Sequence, residues 1–273
     1  MKYEVLNHNN AVCTVTDADI EEAVKSGEPL PRAIVQAMGK THDDKYLEYM
    51  YPILYHEVNY MRMDAAQSIF NLNGRKGLDA LKKRERSIDS SSFDRFPSEK
   101  AVLIAMIIRI EEGTEGILRY FRSEDGLDIV KYCLLSYYSS GYDYKEEDIH
   151  LISIVLREFI DKKLKRVKKV PREDWIEFVY FALDSLLIAA LETEILTRMS
   201  DEASRDLVNV FQQILADKAT NDMKELMSDI SKSMKRDYAL DILRNLKGKT
   251  GGGDARRAYK NALKHFNITE EEI

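Results

Sequence analysis

Two glycines three residues apart, Gly74 and Gly77, interrupt a helix-forming run, and the pair returns as Gly113 and Gly116, 39 residues further on. The shift also aligns Ala66 with Ala105, Ile69 with Ile108 and Leu78 with Ile117, with four identities in the 22 pairs from Met63 to Arg84. A period near 40 residues constrains the fold more than any other feature. One helix–turn–helix unit cannot bury its own apolar face, so successive units must stack on one another. Within a unit, Met61, Ala65, Ile69 and Leu72 share one face at helical spacing. Asn73-Gly74 then stops that helix, because glycine adopts the left-handed conformation that satisfies the last carbonyls. Gly77 lets the next helix start close to the previous one, with Leu78 and Leu81 turned inward.

The rest of the chain also reads as helix. Only 12 Gly and 5 Pro occur in 273 residues, and 44% of the chain is apolar. Thr16 or Asp17 caps a helix that begins in TDADIEEAV and is broken by SGEPLP (Ser26–Pro31). RAIVQAMG forms a short helix closed by Gly39, and Asp43–Glu57 another, kinked or divided at Pro52. Beyond Gly141 the period is lost. Tyr144–Lys169 and Arg172–Met199 are predicted as two long helices, followed by about Asp201–Lys218 and Asn221–Leu246. GKTGGG (Gly248–Gly253) is a joint before a last helix capped by Asp254. The expected organisation is a repeat region over 1–142, a long-helix continuation over 143–247, and the joint with its short helix over 248–273.

MRMDAAQSIFNLNGRKGLDAL, and more weakly VLIAMIIRIEEGTEGIL, resemble the HEAT-repeat family, whose units of antiparallel helix pairs stack into a solenoid. The resemblance covers roughly Asp43 to Gly141. It implies an all-α, HEAT-like α–α superhelix whose concave face binds something, and such families span scaffolds, adaptors and nucleic-acid binders.

Two patches are candidate contact sites. YYSSGYDY places Tyr137, Tyr138, Tyr142 and Tyr144 at a predicted turn, and a second cluster holds Tyr46, Tyr49, Tyr51, Tyr55 and Tyr60. Tyrosines give rigid, amphipathic contact area, and a partner surface competes here with simple packing between helices. DKKLKRVKKVPR (Asp161–Arg172) carries a net charge of +6, leaving −12 on the rest of the chain. Its Lys162, Lys165, Arg166, Lys168 and Lys169 suit a phosphate backbone, an acidic partner or anionic head groups; they equally suit a solvated helix end that complements the dipole.

Catalytic motifs are lacking. LKGKTGGGD (Leu246–Asp254) resembles a phosphate-binding loop, but five positions before its Gly248, where that loop needs glycine, stands Leu243, and no strand precedes it. His150 follows Glu146 by one helical turn, but a metal site needs at least one more ligand and no histidine neighbours it, so no metal is expected. Glu177 and Asp184, seven residues apart on the most apolar helix, suit acid–base chemistry if buried near each other, but read first as the stripe where that helix meets water. Cys13 and Cys133 form no framework and read as small buried side chains. No stretch has about 20 uninterrupted apolar residues, and MKYEVLNHNN has no signal-peptide core, so the expected compartment is cytoplasmic. The expected function is that of a non-enzymatic scaffold, without cofactor, that binds a protein partner. The alternative is a nucleic-acid binder shaped like the DNA glycosylases built from HEAT-like helix pairs, although the chain is acidic at −6 and has a single tryptophan, Trp175.

Overall fold

The structure, a computed structural model, describes residues 1–89, 98–123, 129–135, 145–160, 172–217 and 219–273. Among the described residues the fold is all-α except for one two-stranded hairpin. The described residues of Met1–Ile117 and Ile129–Asp143 form one unit, and those of Leu118–Asp128 and Tyr144–Ile273 a second.

The first unit opens with strands β1 (Lys2–Leu6) and β2 (Val12–Thr16), antiparallel with Tyr3 opposite Val15 and Val5 opposite Cys13. The side chain of Asn7 builds the turn, its Oδ1 accepting from the N–H groups of Asn9 and Ala11 at 2.9 and 3.1 Å. Tyr3, Val5 and Val15 are buried, and both strands pack on helix α2 (Arg32–Lys40). Between them lies α1 (Asp17–Ser26), where Thr16 and Asp19 make the reciprocal capping box and Gly27 ends the helix in the left-handed region. Helix α2 runs one residue past Gly39, so Gly39 does not close it; Thr41 ends it instead, its Oγ donating to the Met38 carbonyl at 2.7 Å.

Two helix pairs come next in this unit, and a third begins in it and passes into the second unit at Leu118. In the first, α2 turns through Thr41–Asp43 and a 3₁₀ turn (Asp44–Tyr46) into α3 (Leu47–Ile53), which stops just after Pro52. The second is α4 (Asn59–Ser87), broken at Asn73, where φ is −168° and ψ 87°. The break differs in kind from a left-handed glycine stop. Asn73 is extended and its Oδ1 accepts the Lys76 N–H at 3.1 Å, capping the second arm. The arms then fold back on each other so closely that a methyl on Gly77 would overlap Ile69 Cγ2. The third is α5 (Glu99–Ser123), broken at Gly113, whose φ of +62° with ψ of −156° only glycine takes readily. The same unit ends with α6 (Ile129–Leu135).

The pairs stack in register. Arg32 meets Asp64, Ser68 Oγ donates to the Val35 carbonyl at 3.0 Å, and His42 meets the Asn71 carbonyl at 3.1 Å, so α2 and the first arm of α4 run parallel. At the corners, Asp44 pairs with Lys76, Arg75 reaches the Glu111 carbonyl at 3.4 Å, and Gly74 lies against Ile110. At the opposite end Arg62 and Arg84 both bind Glu99. Met61, Ala65, Ile69, Leu72 and Leu81 are buried as their spacing required, with Leu78 half-buried.

The second unit contains α7 (Glu146–Ile160), α8 (Arg172–Thr193), α9 (Ile195–Arg198), α10 (Asp201–Ala216), α11 (Asn221–Ser231), α12 (Arg236–Leu246) and α13 (Asp254–His265). Helices α7, α10 and α12 lie side by side, as do α8, α11 and α13. Glu146 accepts from Ser200 N–H at 3.1 Å and Lys235 pairs with Asp201 at 2.8 Å, bringing the starts of the first set together. Several expected boundaries move. Glu194, at φ +52°, divides the expected Arg172–Met199 helix. The expected Asn221–Leu246 helix is two, because the hydroxyls of Ser228 and Ser231 bond back to Lys224 and Ser228 carbonyls and buried Met234 plugs the turn that follows. Gly253, not Asp254, caps α13.

Candidate interaction surface

Helix α3 descends from the corner end of its pair to a loop, Leu54–Val58, and α4 climbs back from Asn59. The loop is fastened from beneath. Arg62 Nη1 donates to the carbonyls of His56 and Glu57, both at 2.8 Å, while its Nε binds Glu99 at 2.8 Å and Nη2 reaches Asn59 Oδ1 at 3.3 Å. A second arginine, Arg84, takes the other oxygen of Glu99 at 2.7 Å. Each guanidinium is mostly buried, so the carboxylate between them supplies the compensating charge.

Tyr55 and Tyr60 stand at the two ends of this loop, 49% and 39% exposed. Each ring has a guanidinium over it. Arg84 lies 5.4 Å from the Tyr55 centroid and Arg32 4.7 Å from that of Tyr60. Arg32 is itself held by Asp64 at 2.5 Å and by the hairpin residue Asn10 at 2.5 Å. Burial pushes the Asp64 carboxyl upward, against the opposing pull of Arg32. The result is a pair of outward-facing aromatic rings whose backbone and undersides are fixed. Such rings lose little conformational entropy on contact with a partner.

The tyrosine cluster read from the sequence is thus divided by the fold. Tyr46 is buried at 8% exposure and Tyr51 is half-buried, with burial raising its hydroxyl pKa. Tyr49, beside Tyr46 with ring centroids 6.3 Å apart, remains 38% exposed on α3. Tyr55 and Tyr60 are its most usable members, and their arginine and carboxylate supports leave no pattern in the sequence: Arg32–Asp64 and Arg62–Glu99 are separated by 32 and 37 residues. Tyr137, Tyr138, Tyr142 and Tyr144 lie outside the described residues, as do Lys162, Lys165, Arg166, Lys168 and Lys169.

The second unit carries an acidic row along its second helices: Asp184 on α8, Asp222, Glu225 and Asp229 on α11, and Asp254 on α13. Burial raises the pKa of half-buried Asp184, and burial with the carboxylates of Asp254 and Asp229 raises that of Glu225. Glu177 is exposed, as a water-facing stripe on α8 requires. Among the described residues no group of His, Cys, Asp and Glu is arranged to hold a metal ion, and no helix is long and apolar enough to cross a membrane. Cys133 is buried but Cys13 is only partly so, on an outer strand. The glycine-rich Gly248–Gly253 stretch follows a helix, with Lys249 N–H bonded back to Leu246 at 2.9 Å, and does not form a strand-borne phosphate loop. Compared with protein-family models, curated proteins and solved structures, the chain matches none.

Proposed function

We propose that the chain is a non-enzymatic helical-repeat protein that captures a protein partner through the Tyr55–Tyr60 loop. One observation carries this reading: two exposed tyrosines flank a loop whose carbonyls are tied down by a buried arginine. A packing tyrosine needs no such fixed, outward pose; a binding tyrosine gains from it. The HEAT-like solenoid is part of the same proposal. It is supported by the in-register stacking of α2, α4 and α5 in the first unit and by the side-by-side sets in the second.

The test uses the immobilised full chain in lysate of its native host, wild type against Tyr55→Ser with Tyr60→Ser. Both rings are exposed, so the variant keeps its circular dichroism and melting temperature. The reading requires at least one protein, retained by the wild type at moderate salt, to be lost with the variant. Retention unchanged by the double substitution sinks it. Salt-sensitive retention of labelled DNA or RNA in place of protein would move the function to nucleic-acid binding.

A further inference from the structure

Hydrogen bonding in the hairpin alternates, and the alternation decides which backbone groups face outward. Asn7 N–H donates to Ala11 at 3.0 Å and Asp17 N–H to Met1 at 3.3 Å. With Tyr3 opposite Val15 and Val5 opposite Cys13, the odd-numbered residues are therefore the ones bonded across the pair. Even-numbered residues aim their N–H and C=O away from it. On β1 two of these outward groups are covered by α2: Leu6 N–H donates to Gln36 Oε1 and Lys40 Nζ donates to the Glu4 carbonyl, both at 2.8 Å. On β2 the Thr16 N–H goes to Asp19 at 2.7 Å. Val12 and Thr14 have no backbone partner among the described residues, and both are exposed, Val12 by 70%.

We propose that this edge docks a second copy of the chain by antiparallel β2–β2 pairing, joining two hairpins into one four-stranded sheet. Natural proteins guard open edges with charge, proline or a covering element. Here β1 is guarded by α2 and by the charges of Lys2 and Glu4, whereas Val12 and Thr14 on β2 are bare. From Asn7 to Thr16 there is no Asp, Glu, Lys or Arg in a chain that is 32% charged, so nothing selects a charged partner and nothing repels an identical one. A two-fold axis at Cys13 sets Val12 opposite the partner's Thr14, and Thr14 opposite the partner's Val12. Each of these pairs exchanges two bonds, so all four open N–H groups and carbonyls of the two edges are satisfied. The two Cys13 residues then face each other at the non-bonded position. Cα atoms there are about 4.5 Å apart, within disulfide range.

The experiment is sedimentation velocity of the reduced full chain over a concentration series, with diamide oxidation and peptide mapping in parallel. The expected result is a concentration-dependent dimer and a Cys13–Cys13 cross-link; Cys133, being buried, stays out of it. Thr14→Pro removes an outward N–H that the hairpin itself does not use, a position where an edge strand accepts proline. It deletes two of the four intermolecular bonds and weakens association about ten- to hundredfold. Val12→Lys, on the exposed face, restores the missing guard charge and gives the same loss even if the proline variant fails to fold. A chain that stays monomeric at all concentrations overturns the proposal, as does a dimer indifferent to Val12→Lys.

Discussion

Replacing Glu99 with alanine tests whether one carboxylate holds the base of the tyrosine loop. Its two oxygens bind Arg62 Nε at 2.8 Å and Arg84 Nε at 2.7 Å, and the three side chains are 12%, 17% and 16% exposed. Removing one member of a fully buried ion pair costs about 3–5 kcal/mol, mainly through the charge left behind. Some relief is available here. Water reaches each guanidinium, Arg62 keeps its carbonyls on His56 and Glu57, and Arg84 keeps Ser87 Oγ at 3.3 Å. The expected cost of Glu99→Ala is therefore about 2–4 kcal/mol. Glu99→Gln keeps the shape and one acceptor but turns an amide NH₂ toward an arginine, for about half that loss. Urea unfolding reads both as a lower midpoint at unchanged slope. Amide exchange gives the local signature, with faster exchange in His56–Met61 than in α1 as Arg62 loosens. A cost for Glu99→Ala below about 1 kcal/mol, with exchange in that loop unchanged, would refute the view that Glu99 fastens both arginines.

Other consequences are more local. Gly77→Ala forces a methyl into Ile69, which is fully buried, and should cost about 1–3 kcal/mol by urea unfolding; a neutral result would mean the arms of α4 are free to separate. Ser200→Ala removes the cap that accepts the Ala203 N–H at 3.2 Å, for about 1 kcal/mol of stability by the same measurement. Asp184 gives a pH signature. Burial raises its folded pKa above the ordinary 3.8, so between those two values the native state keeps a proton that the unfolded chain has released. Its contribution is therefore greatest in acid and is lost as pH rises through the folded value. Asp184→Asn should raise the neutral-pH melting temperature and flatten the stability–pH curve above pH 4, whereas a steeper curve would contradict this sign.

The helix pairs were legible because their causes are local. Apolar residues at helical spacing bury Met61, Ala65, Ile69 and Leu72, and the recurring Gly74/Gly77 and Gly113/Gly116 pairs lie at the two corners. The corner chemistry was less legible, since an extended Asn73 and a left-handed Gly113 reach the same turn by different backbone routes. The hairpin was missed although KYEVL and VCTVT alternate around an Asn-rich turn. Composition argued for helix, and two five-residue strands become stable only when α2 covers their apolar face. The candidate surface shows the deeper limit. That Tyr46 is buried while Tyr55 and Tyr60 face water depends on where Arg32, Arg84 and Glu99 arrive from distant helices. Spacing along one helix can nominate aromatic residues, but whether a ring serves the core or a partner is decided by the element that packs beneath it. The arginines under Tyr55 and Tyr60 support these rings without enclosing them.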